Sequence, residues 1–272
     1  MGSEGVEEGQ TILAEAVDFY REVLGDRLVA AYALGSLAHG GFSPLVSDID
    51  IGLILAHPLQ ASDAGTIDAG VDAVRAKGGV LRQRLSVFWS SLRSLQEPPV
   101  AGRFPPLDRL DLIENGRLLM GQDMRQALAR PDRAELVVVG AEFALEHLGD
   151  ETVVEEMRKP QLLVARGAIR LTKLVLFPVR FLFSAGTGRV GPVEAAVAHY
   201  LAADRPVSGT LVRAALVWRA EPPASLVAVP LLAREMLPLY LSYINDHVSR
   251  LPALGRADLA RAFQAWRDRL AR

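Results

Sequence analysis

Two aspartates one residue apart, Asp48 and Asp50, alternate with isoleucines in an apolar run that continues to Leu55. In a strand, side chains alternate between faces, so both carboxylates point one way while Ile49 and Ile51 point into a core. Two carboxylates so close together repel unless a cation lies between them. Hard oxygen donors of this kind suit Mg²⁺, which binds through one or two carboxylates plus substrate phosphates. Upstream, the apolar run Leu28 to Leu34 stops at Gly35-Ser36, and a turn containing Gly40, Gly41 and Pro44 leads back to the aspartates. Glycine lets a backbone approach a phosphate closely, and its N–H groups with a serine hydroxyl can cradle the anion. Gly-Ser, a spacer and Asp-x-Asp between two strands therefore describe a site for a metal and a nucleoside triphosphate. A hairpin with an acidic turn carries the same letters, since Asp-x-Asp alone is common.

The elements that must position these groups follow from periodicity. Thr11 to Leu24 has apolar residues at helical spacing and ends at Gly25-Asp26, while the acidic, glycine-containing residues 1–10 read as frayed. Leu28–Leu34 and the aspartate run are strands, and His57-Pro58 closes the second. Residues 63–77 form a helix, stopped by Gly78-Gly79, and a third strand covers 85–90. A proline-rich loop spans 97–106. A helix follows over 107–115, with Gly116 as its cap, and then a short strand over 117–120 and a helical turn from Gly121. This is a compact α/β unit with a small mixed sheet. From about Pro131 helical patterns take over, at 133–148, 150–185, 191–203, 207–219, 224–249 and 256–271. The fold class is α+β, with an N-terminal domain over 1–130 and an all-α bundle over 131–272.

At 272 residues, half of them hydrophobic, the chain can bury two cores. A net charge of −2 argues against general nucleic-acid binding, and the absence of cysteine removes disulfides and thiolate metal sites. The five histidines show no ligand-like spacing. Residues 1–10 lack the basic-then-apolar pattern of a leader. The apolar stretch 161–186 is interrupted by Arg166, Arg170, Lys173 and Arg180 and broken by Pro178. A soluble, cytoplasmic protein with no membrane partner is expected. Those four basic residues fall along one side of a single helix. Buried charge without compensation is costly, so the ridge suits either a cleft filled by a triphosphate or pairing with Glu142, Glu146, Glu155 or Glu156.

Gly35-Ser36 with Asp48-Ile49-Asp50 resembles the signature of the DNA polymerase β-like nucleotidyltransferase superfamily. The segment Val179 to Ala196, in which Arg180 precedes Thr187-Gly188-Arg189 and a new helix, resembles the helical domain of the streptomycin/spectinomycin adenylyltransferases. That match is looser, because Thr-Gly-Arg is also a good helix-ending turn. The two resemblances together cover most of the chain. They imply a nucleotidyltransferase domain joined to a helical domain, with ATP and acceptor between them. They imply Asp48 and Asp50 as catalytic metal ligands for Mg²⁺, Gly35 and Ser36 at the β/γ-phosphates, and Lys173, Arg180 and Arg189 as further nucleotide-binding groups. The expected reaction moves AMP from ATP to a hydroxyl of an aminoglycoside-like compound, another small molecule or a protein. RNA ends are a weaker possibility.

The chain departs from the resemblance in two places. The family usually carries a third carboxylate on the strand after the Asp-x-Asp hairpin; here Ser86 takes that place, and no Asp or Glu occurs from Gly79 to Gln96. Glu97, Asp108 or Asp111 would have to reach in from a loop or helix. The acidic residue that recognises a cationic drug also has no counterpart, so aminoglycoside resistance rests on fold-level analogy. The alternative is a degenerate nucleotide-binding or regulatory protein.

Overall fold

A computed structural model of the chain describes residues 2–272, which divide into two compact units at the Pro131–Asp132 boundary. In the first unit a long helix, α1 (Gly2–Leu24), precedes β1 (Leu28–Leu34), a single helical turn α2 (Ser36–His39) and β2 (Ile49–Leu55). Then come α3 (Asp63–Ala76), β3 (Leu85–Ser91), α4 (Leu92–Gln96), α5 (Pro106–Asn115) and β4 (Arg117–Gly121). The sheet order is β3-β2-β1-β4, with β1 antiparallel to β2 and β4, and β2 parallel to β3.

Strand alternation divides the unit's apolar residues between two cores. Ala31, Ala33, Ile49, Ile51, Leu53, Leu85 and Val87 face a core completed by Ile12, Leu13 and Tyr20 of α1 and by Ile67 and Val74 of α3. Ala30, Tyr32, Leu34 and Ile54 face the other way, onto Leu95, Phe104, Leu112 and Leu128. Asp50 and Ser86 lie on this second face.

Residues 2–10 are helical rather than frayed, and Met1 lies outside the described residues. The reason is glycine at helical spacing. Gly5 and Gly9 present bare backbone to the chain that follows β1: a Cβ on Gly5 would fall 2.7 Å from Pro44 Cβ, and one on Gly9 would fall 2.9 Å from Leu37 Cδ1. Residues that read as helix-weakening are what let α1 pack against the turn.

The second unit is all helix: α6 (Arg133–His147), α7 (Glu151–Arg158), α8 (Pro160–Ala165), α9 (Ala168–Thr187), α10 (Val193–Leu201), α11 (Gly209–Trp218), α12 (Ser225–Arg250) and α13 (Ala257–Leu270). Asp132 and Asp150 start α6 and α7, each accepting a backbone N–H of the first turn at 2.8 Å. The expected single helix over 150–185 is three helices. Pro160 favours an extended residue before it, as at Lys159 (φ −116°, ψ 79°), and Gly167 turns the chain at φ 87°. By length and composition alone Ser225–Leu254 could cross a membrane. Here Leu232, Met236, Tyr240, Tyr243 and Ile244 of that stretch are buried in the helical core.

Pro178 lies inside its helix, within the helical pattern expected through residue 185. α9 continues through it to Thr187. Proline has no N–H, so the carbonyl four residues back, that of Leu174, loses its helical donor. The wholly buried Tyr240 hydroxyl of α12 donates to that oxygen at 2.7 Å. Tyr240→Phe should therefore cost about 1–3 kcal/mol by orphaning a buried carbonyl. In a Pro178→Ala background, where residue 178 supplies an N–H, the cost should shrink, as a double-mutant cycle from denaturant unfolding would show. Equal costs in both backgrounds would mean that the tyrosine does not replace the missing bond.

His247 is buried on α12, its Nδ1–H donating to Tyr243 O at 3.2 Å and its ring stacked on Phe263. Burial pushes its pKa down to about 4, against the pull of Asp246 beside it. An unfolded histidine titrates near ~6.5, so on acidification the unfolded chain takes up the proton first. Stability is then lost as pH falls from about 6.5 toward 4, by on the order of 3 kcal/mol. His247→Phe should flatten the unfolding free energy against pH across that window; an unchanged slope would rule His247 out as the group responsible.

Candidate functional site

The site in the first unit forms where β1 ends and β2 begins. Leu34, the last residue of β1, is directly opposite Asp50, and on the other side of β2 Asp50 pairs with Ser86 of β3. Paired residues share a face, so Leu34, Asp50 and Ser86 form one row across three strands. Asp48 immediately precedes β2. The register thus puts serine, not a carboxylate, beside Asp50.

Gly35 follows Leu34 with φ 59° and ψ −150°, a conformation that is essentially glycine's alone. A Cβ there would overlap Asp50 Oδ2, so Asp50 occupies the space that any other residue would fill. The Gly35 N–H donates to Asp111 Oδ2 at 2.7 Å. Asp111 comes from α5 and is 9% exposed. Its Oδ1 accepts from Asn115 Nδ2 at 2.9 Å and lies 3.9 Å from His39 Nε2. The Gly35 carbonyl in turn accepts from Ala38 N and His39 N, at 2.9 and 3.1 Å. Gly35 and Ser36 therefore begin a closed turn, with Asp50 packed against the first of them.

The turn leading to Asp48 is held separately. Ser43 O accepts from Ser47 N at 2.8 Å, and Ser47 Oγ accepts from Ser43 N at 3.0 Å. Arg84, just before β3, donates to Ser47 O at 2.8 Å and to Pro44 O. Burial pushes the Arg84 guanidinium down from its ordinary value, and the nearby negative charge of Asp48 opposes that shift. Arg84 and His39 have no sequence signature as site residues. Their partners are a carbonyl in one case and a carboxylate brought from α5 in the other, and neither contact leaves a spacing to read. Of the acids considered as a replacement for the third carboxylate, Glu97 pairs with Arg93 at 3.5 Å on the surface, and Asp111 is the one that reaches Gly35.

Among the described residues no three His, Asp or Glu side chains form a metal-holding group by themselves. Asp48 and Asp50 lie one residue apart and carry hard oxygen donors, the kind that Mg²⁺ takes together with phosphates and water, so these residue types would suit that ion.

In the second unit Lys173 and Arg180 lie two turns apart on one side of α9, half-buried and exposed, and Arg189 is exposed just beyond the helix end at Gly188. The expected four-residue ridge is not continuous, because the Gly167 break puts Arg166 before α9. Arg166 and Arg170 instead converge on the buried Glu156 of α7, each through Nε at 2.9 Å. Pairing with Glu156, one of the two readings open from the sequence, accounts for both arginines.

Gly35→Ala is expected to destabilise the protein by about 1–3 kcal/mol, through positive-φ strain and the collision with Asp50. A melting temperature equal to wild type would mean that Asp50 does not press against this glycine.

No protein-family model matches the chain, and none of the curated proteins matches it. Among solved structures it is similar to spectinomycin adenyltransferase AAD(9) from Enterococcus faecialis, a structure determined with ATP and spectinomycin. The TM-score is 0.59 over 97% of this chain and 99% of that one, at 12% sequence identity. At this identity the likeness establishes a nucleotidyltransferase-like fold with a helical C-terminal region.

Proposed function

We propose that the chain is a nucleotidyltransferase that uses a nucleoside triphosphate, ATP in the first instance. The observation that carries this reading is the contact of Asp50 with Gly35, which joins the Asp-x-Asp strand to the Gly-Ser turn in one site. The fold likeness to an enzyme whose structure holds ATP supports it. In the reaction an acceptor oxygen attacks the α-phosphorus, the new P–O bond forms, and pyrophosphate leaves.

Asp48 and Asp50 would hold Mg²⁺, which when bound neutralises phosphate charge and charge developing in the transition state. The turn begun by Gly35 and Ser36 would bind the β- and γ-phosphates. Arg84 fixes the backbone that presents Asp48 and so acts at one remove. The acceptor class we favour is a hydroxyl compound, either a small molecule of the aminoglycoside kind or a protein side chain.

A second reading has its own observation. The Asp50–Ser86 register leaves β3 without a carboxylate that could take the acceptor's proton. Such a protein would bind the nucleotide without transferring it. General-base help contributes about 10²–10⁴-fold, so its loss slows transfer without removing the other contributions.

Labelled nucleoside triphosphates, Mg²⁺ and a panel of acceptors, from aminoglycosides to a cell extract, separate the two readings. Transfer, read as pyrophosphate release, should fall at least ~10²-fold in Asp50→Asn while the protein stays folded. Undiminished transfer in that variant would remove Asp50 from the site. Tight Mg-ATP binding with no transfer to any acceptor would favour the second reading.

A further inference from the structure

Asp111 is a carboxylate in a helix that gives it little access to water. Its neighbours Arg109, Leu110 and Leu112 are buried, and Leu112 belongs to the core on the second face of the sheet. A buried carboxylate is costly unless hydrogen bonds satisfy it. Asp111 meets that cost with groups from two places. Asn115, one turn further along α5, takes one oxygen, and the Gly35 N–H takes the other. His39 Nε2 stands 3.9 Å from the oxygen shared with Asn115. One side chain therefore lies at both ends of residues 35–39, the segment that contains the Gly-Ser pair.

The geometry of Gly35 shows what this tether does. Its backbone occupies a region that costs free energy and persists only when the surroundings impose it. A charge-assisted bond from its N–H is such an imposition, and among the stronger kinds. The same peptide is spent on Asp111, so it is not itself a phosphate donor. Each Asp111 oxygen accepts one of these bonds. Gly35 is thus held through its N–H by Asp111, while its missing side chain makes room for Asp50.

We propose that Asp111 is a positioning residue for the nucleotide: by holding Gly35 and the turn that starts there, it sets the shape in which Ser36 and its neighbours meet the phosphates. The proposal rests on the nucleotide site argued above. Two measurements on three proteins, wild type, Asp111→Ala and Asp111→Asn, test it. One is amide hydrogen exchange over residues 35–40 without ligand. The other is the calorimetric dissociation constant for Mg-ATP.

Asp111→Ala should speed exchange in that segment about tenfold, and not in the β1–β2 ladder, and should weaken Mg-ATP about tenfold. Asp111→Asn should recover most of both losses, because an amide oxygen still accepts from Gly35. If the alanine variant does not fold, Asp111→Leu, which fills the volume, is read the same way. Exchange that does not change in the apolar variant overturns the tether. An asparagine variant as impaired as alanine in nucleotide binding overturns positioning in favour of a role that needs the charge. Faster exchange in a protein whose wild type never binds Mg-ATP overturns the nucleotide role and the proposed function with it, while the tether itself stands.

Discussion

The first unit depends on a glycine that meets two carboxylates, one through its N–H and one in the space of its missing side chain. Gly35 must take a backbone conformation closed to other residues, must give its N–H to Asp111, and must leave its missing side chain's space to Asp50. Each condition ties a different element to the same residue: β1 leads into it, α5 holds its N–H, and β2 fills the space beside it. The sheet order follows the same logic. β2 lies between β1 and β3, so Asp50 stands in a row of paired residues with neighbours on both sides, where its position is set by two ladders instead of one.

The helical unit meets a different constraint, the satisfaction of groups that helices and burial leave unpaired. Pro178 removes a backbone donor deep in α9, and a tyrosine from α12 supplies one. Glu156 is buried at the α7 end of a junction where Arg166 and Arg170 both reach it. In each case a feature that disrupts one helix becomes a contact that locks two together. Unpaired buried polar groups are expensive, so such contacts specify which helices must be neighbours.

Much of the architecture was legible because it rests on local periodicity. Alternation over Leu28–Leu34 and Ile49–Leu55 marked two strands, the patterns ending at Gly78-Gly79 and Gly116 marked helices, and the change of texture near Pro131 marked the onset of helix alone. Where local reading failed, it failed for a physical reason. Gly5 and Gly9 weaken an isolated helix but permit close packing, and Pro160 and Gly167 cut the expected helix over 150–185 into three. The single basic ridge dissolved because Gly167 breaks the phase between Arg166 and the rest.

Sequence alone determined the chemistry on offer at the candidate site: two aspartates on alternate positions of a strand, a Gly-Ser turn before them, and no acid on the strand that follows. Residue type and a period of two suffice for that, because both are local. Tertiary structure decided which groups from distant parts of the chain join them. Asp111 and Arg84 reach the two turns that precede the aspartates through hydrogen bonds to backbone N–H and carbonyl groups, which nearly every residue offers. Such partners leave no pattern in the letters, and only the packing of α5 and β3 against the first two strands selects them.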